Sequence, residues 1–234
     1  MSRHYDTWRV FSDFVEMAAL TISNSDRHFL STPKKVWEER EKAYLEIINK
    51  YRKIEQPVFA KMLAELVMEL DDCVASGHFT DVLGEVFHEL ELHNKWNGQF
   101  FTPQHICDMM GRMVFNKDIT QEAIDSRGYV NISEPCSGAG AMIYGFVNAF
   151  CEAGFNHSKQ ILVVANDIDI RCVYMTYVQC SLYGIPAVVL HKNTLSGEVF
   201  GYPWYSPIYT LYLWRWKRED TETPTIASGK ERVV

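Results

Sequence analysis

Residues 134–142 read EPCSGAGAM, and the reading of this stretch decides the fold. It follows GYVNIS (128–133), an alternating run that predicts a strand, and leads into AMIYGFVNAFCEAG (141–154), an apolar helical pattern closed by Gly154. Gly138 and Gly140 suit a tight turn that lets backbone approach a ligand. Outward from there the alternation continues. ILVVA (161–165) predicts a buried strand. Asp169 to Tyr183 predicts a helix with Ile170, Val173, Tyr177 and Cys180 on one stripe, ending at Gly184. AVVL (187–190) predicts another strand. A β-α-β-α-β order implies parallel strands in a doubly wound α/β sheet, whose ligands sit beyond the carboxyl ends of the strands. The Gly-rich turn falls at such an end.

The residues of the turn narrow the ligand. A dinucleotide fingerprint reads G-x-G-x-x-G, but here the third position is Ile143. Glu134 would repel a pyrophosphate and could accept a hydrogen bond from an ammonium group. The ligand so described carries an amino-acid moiety, as S-adenosylmethionine does. Asp167 closes the second strand in AND, near the ~20-residue offset at which an acidic residue grips ribose hydroxyls. A Gly pair in a plain loop with a solvated Asp167 remains the alternative.

The first ninety residues carry helical stripes. Trp8, Phe11, Phe14, Val15, Ala18 and Ile22 form one; Trp37, Tyr44, Ile48 and Tyr51 form a second. Pro57 opens a third helix with Phe59, Met62, Leu63, Leu66 and Leu70, and FTDVLGEVFHEL repeats the pattern with Thr80 as candidate cap. The expected organisation is a helical N-terminal domain (1–97), a sheet domain (98–216) and a polar, disordered tail (217–234).

With 47% hydrophobic and 23% charged residues, the 234-residue chain has the composition of a soluble globule. No apolar run is long enough to cross a membrane, and MSRHYDTWRV lacks a signal-like core, so a cytoplasmic location is expected. Six scattered cysteines without a Cys-x-x-Cys pair argue for reduced thiols and against a disulfide framework or a zinc site; no metal is expected. A net charge of −7 excludes tight DNA binding by overall phosphate neutralisation, leaving a local patch or a partner.

In GQFFTP (98–103), Thr102 and Pro103 suit a helix start, but the adjacent aromatics need another explanation. Together, DVLGEVFHEL, GQFFTP, EPCSGAGAM, NDID and NTL resemble the amino-methyltransferase family that includes the M subunits of type I restriction-modification systems. The resemblance runs from about Asp81 to Leu195. It implies a helical region before a shortened, Rossmann-like methyltransferase sheet, with S-adenosylmethionine as cofactor. Phe101 would pack on the cofactor and Thr102 would meet its methionine end, with Gly98 letting the chain swing into position. Glu134, Cys136, Gly138 and Gly140 match the family's Gly-rich motif, and Asp167 its ribose position. Asn193 stands where a carboxylate usually holds the adenine.

The family's catalytic motif is an Asp, Asn or Ser followed by Pro-Pro and an aromatic. Its nearest counterpart here is SPIY, with Ser206, Pro207 and Tyr209 matching and Ile208 replacing the second proline. On this resemblance SPIY lies beside the cofactor pocket, at the end of the AVVL strand. YTLYLWRWK (209–217) would add a further strand. The aromatic-rich end (Trp204, Tyr205, Tyr209, Trp214, Trp216) would be a base-stacking platform, or else a sheet-edge cap or oligomer interface. The implied function is S-adenosylmethionine-dependent methylation of DNA at adenine N6. Partners would be DNA, bound weakly by the chain alone, and a specificity or other restriction-modification subunit or a second copy. A catalytically inactive decoy or regulator remains the alternative, and RNA or protein remains open as the acceptor.

Overall fold

The computed structural model describes residues 5–25, 32–90, 101–212 and 214; Gly98, Phe100, Trp216 and the 217–234 tail lie outside them. Among the described residues, six helices precede the first strand: α1 (Thr7–Asn24), α2 (Lys34–Ile48), α3 (Gln56–Ser76), α4 (Val82–Glu89), α5 (Gln104–Val114) and α6 (Lys117–Arg127). The Asp6 carboxylate caps α1 by accepting from the Trp8 N–H, and the apolar stripe buries Phe11, Phe14, Val15 and Ala18. α3 starts through Pro57, as its sequence predicts.

Two caps differ from expectation. α4 is capped by Asp81, which accepts from the Gly84 N–H, while the Thr80 hydroxyl donates to Glu85 Oε1 (3.3 Å) instead of capping. α5 begins after Pro103, and Thr102 does not cap it.

The sheet follows the predicted alternation. β1 (Val130–Glu134), β2 (Ile161–Asp167) and β3 (Ala187–His191) pair in parallel, in that order. Between them run α7 (Ala141–Glu152), the single turn α8 (His157–Gln160) and α9 (Ile170–Leu182). β4 (Trp204–Tyr205) then adds antiparallel to β3, making a four-stranded mixed sheet in an α/β fold. The strand expected from Tyr209 onward is not one. Pro207 opens the short helix α10 (Pro207–Leu211), where Tyr212 N donates to Ile208 O.

Alternate residues of the strands face two different cores. Val163, Ala165 and Val189 join Phe14, Phe87, Val147, Phe150, Val173 and Tyr177 in the main core, so α1, α4, α7 and α9 share one face of the sheet. Leu162 and Val188 meet Tyr129, Tyr209 and Trp214 on the other face. The aromatics near the C-terminal end are therefore core, with Trp204, Tyr209 and Trp214 buried; a base-stacking platform would need them exposed.

Two close contacts hold the layers. At the crossing of α5 and α7, Gly111 lies against the Gly145 carbonyl, and Gly145 against the Cys107 carbonyl. On the far side, buried Arg40 of α2 stacks on the Trp204 ring (3.7 Å), donates to Pro203 O (3.3 Å) and bonds Ser23 Oγ of α1. All six cysteines are free thiols. Among the described residues, no helix is long and apolar enough to cross a membrane, and no cluster could hold a metal ion.

Candidate cofactor site

Parallel pairing in register brings the carboxyl ends of β1, β2 and β3 side by side. The loops leaving them wall a cavity of about 380 Å³, within the size range of small-molecule sites. Phe101, Thr102, Cys136, Gly138, Asp167 and Asn193, six of the sequence-predicted cofactor residues, line it. Gly140 lies just behind, as the cap of α7. A larger cleft, about 650 Å³, lies between α1, α3 and α4 and contains none of them.

The Gly-rich turn is held from below. Ser137 N donates to Asn166 O (3.0 Å), and Gly138 N to the Asp167 carboxylate (2.9 Å). Thr176 Oγ1 of α9 donates to Gly138 O (2.9 Å), and Gln179 Nε2 to Ala139 O (2.9 Å). Gly138 has φ 54, and a Cβ there would lie 3.1 Å from the Phe101 ring. The residue must therefore be left-handed and bare, which is glycine's use. Phe101 is fixed in turn. Its N–H donates to His88 Nε2 (3.2 Å), and its ring packs on Phe87 with centroids 5.0 Å apart.

Asp167 accepts from Gly138 N through Oδ2 and from Asp169 N through Oδ1, both at 2.9 Å. Burial pushes its pKa up, against the pull of backbone bonds from Asp169, Gly138 and Ile168. The carboxylate has acceptor capacity beyond these bonds. Asn193 is used more locally, since Oδ1 accepts from Leu195 N (3.0 Å) and Ser196 N (3.2 Å) in a turn after β3. Glu134 is half-buried at the end of β1 and accepts from Cys136 N (3.2 Å), but is not in the pocket wall.

Sequence reasoning missed Asp81, Lys192 and Thr194, which also line the pocket. Thr194 is tied to the turn through Asn166 Nδ2 (2.6 Å) and Pro135 O. Asp81 stands next to Thr80, the residue expected to cap α4, and nothing local signals that it faces a cavity.

The structure does not bring SPIY to the pocket. Ser206 is fully buried, its Oγ accepting from Ala187 N (2.9 Å) and donating to Ile185 O (2.8 Å). Ala187 is the first residue of β3, whereas the pocket lies past its last, roughly 13 Å away at ~3.3 Å per residue. Pro207 opens α10, and Tyr209 stacks on Tyr205 (5.1 Å) in the smaller core. The physical reason is that the amino end of β3 needs partners, which a buried hydroxyl and the β4 strand supply. Ser206→Ala should therefore act on folding, lowering stability by about 1–3 kcal/mol in denaturant titration by leaving a buried N–H unpaired. A variant as stable as the unaltered protein would contradict this.

Neither the curated proteins nor the solved structures contain a match to this chain. A family model described as N-6 DNA Methylase matches residues 78–207, which spans α4 to Pro207 and includes every residue lining the pocket. That is more than half of the chain, and the protein belongs to the N-6 DNA methylase family.

Proposed function

We propose that the pocket binds S-adenosylmethionine and that the chain forms the cofactor-binding part of a DNA adenine-N6 methyltransferase with a shortened, Rossmann-like sheet. The observation that carries this reading is the convergence of Phe101, Thr102, Gly138, Asp167 and Asn193 at the carboxyl ends of three parallel strands. The residues fit the group. Asp167 has lone pairs for ribose hydroxyls, Phe101 offers an apolar face beside Gly138, and the first turn of α7 offers unpaired N–H groups to a carboxylate. When bound, the cofactor supplies the methyl group, and the chain's part is to hold and orient it.

A second reading is binding without catalysis, as decoy or regulator in a restriction-modification assembly like those of the type I M subunits. It is favoured by the position of Ser206 and Tyr209 at the opposite end of the sheet. With a net charge of −7, DNA contact would be weak for the chain alone and would rely on a specificity subunit, another assembly subunit or a second copy. The free thiols suit a reducing cytoplasm.

Calorimetric titration with S-adenosylhomocysteine, followed by transfer of labelled methyl from S-adenosylmethionine to mixed-sequence DNA, tests both readings. Binding without transfer is the expected result for the isolated chain. Transfer would assign full enzymatic activity to the chain, and no binding at millimolar ligand would end the cofactor reading.

A further inference from the structure

Asp81 is a carboxylate buried in a pocket wall, with no cation paired to it among the described residues. It is 4% exposed, and none of the ion pairs among the described residues includes it. Its two hydrogen bonds go to one oxygen, since Gly84 N (2.8 Å) and Gln179 Nε2 (2.9 Å) both donate to Oδ1. Oδ2 accepts no hydrogen bond among the described residues. Burial pushes the Asp81 pKa up to about 6, against the pull of the Gln179 and Gly84 bonds, so at neutral pH a charged, half-satisfied acceptor stands in the wall.

The surroundings make the same point. The buried Cys107 thiol has its pKa raised to about 11, first by burial and then by the negative charges of Asp81, Asp108 and Glu134. Asp108 is already partnered by Gln104 Nε2 (2.8 Å), Asn148 Nδ2 (2.9 Å) and His78 (3.7 Å). Glu134 is outside the pocket wall. Lys192, the basic residue among the described lining residues, belongs to the β3 side with Asn193 and Thr194. Asp81 is thus the acidic group with acceptor capacity to spare in this corner.

The corner also holds the N-terminus of α7. Gln104 accepts from Asp81 N (3.1 Å) and donates to Ala141 O (3.4 Å), tying Asp81 to the first residue of α7. A carboxylate acceptor for a cation beside a helix N-terminus that favours an anion matches a zwitterion. We infer that Asp81 binds the α-ammonium group of an amino-acid moiety on the pocket's ligand, the role that sequence reasoning gave to Glu134. This rests on the cofactor reading proposed above and adds a residue and a charge to it. Asp81 would then do two things at once, capping α4 through Oδ1 and holding the ligand through Oδ2.

The Asp81→Asn variant separates the two. Asparagine keeps an oxygen for Gly84 and Gln179 but puts an N–H₂ donor where the ammonium must bind. Two probes are titrated against both proteins. S-adenosylhomocysteine carries the amino-acid moiety, and 5′-methylthioadenosine lacks it. The inference expects Asp81→Asn to weaken S-adenosylhomocysteine about tenfold or more, the usual effect of losing a charge-assisted bond, while 5′-methylthioadenosine binds as before. Equal binding of both probes by the two proteins would overturn it and leave Asp81 a cap. A parallel loss of both probes would also overturn it, since Asp81 would then shape the pocket as a whole. If the unaltered protein binds neither probe, the cofactor reading itself falls.

Discussion

Gly145→Val should unfold about 6–12 °C below the unaltered protein in a thermal melt. The argument is steric. A Cβ on Gly145 would lie 2.3 Å from the Cys107 carbonyl oxygen and 2.5 Å from its carbon. Gly111, facing it, would place a Cβ 2.2 Å from Gly145 O. The obstacles are backbone atoms of two packed helices, which cannot rotate aside as a side chain can. A branched side chain must push α5 and α7 apart, at a cost in the upper range for overpacking, about 3 kcal/mol. At 2–4 °C per kcal/mol for a chain of this size, the stated shift follows. The displacement also reaches the pocket, because Thr102, two residues before α5, and Ala141, the first residue of α7, both line it. A melt within a degree of the unaltered protein would show that the helices do not cross as closely as described.

Asp167→Ala should weaken S-adenosylhomocysteine by between about tenfold and a hundredfold. Two losses combine. The ligand loses a charged acceptor, typically worth ~1.5–3 kcal/mol, and the Gly-rich turn loses the anchor on Gly138 N. Asp167→Asn distinguishes them. Its amide oxygen can still accept from Gly138, so the turn keeps its shape while the charge is gone. An Asn variant intermediate between Ala and the unaltered protein is expected. Unchanged affinity in both variants would remove Asp167 from the ligand's contacts and leave it only the structural bonds to Gly138 and Asp169.

The parallel strands were legible because their signal is local. ILVVA is apolar throughout because both its faces are buried, and the Gly pair is written next to the strand it follows. The expected cofactor residues came from those two facts and from the family resemblance, and six of them line one pocket. Asp81 was not legible, because its role depends on Gln179, 98 positions away on α9, docking α4 beside the turn. SPIY misled for the opposite reason. Its local likeness to a catalytic motif is real, but its position is set by a two-residue antiparallel pairing with β3, too short to leave a periodic trace. α6 escaped notice because only Thr120 on it is buried, which leaves no apolar stripe.

Phe87 has a consequence for how the molecule opens. Fully buried on α4, its ring meets Phe101 at the pocket entrance on one side and Phe11 of α1 on the other, at 5.0 and 6.0 Å. The family likeness begins at residue 78, after α1 has ended, so homology and cooperativity have different boundaries here. Fraying of α1 removes the backing of an aromatic in the pocket wall. By linkage, whatever free energy a ligand of the proposed kind gains from an ordered Phe101 would be returned in equal measure to the docking of α1. The far N-terminal helix would then report on such a ligand without touching it.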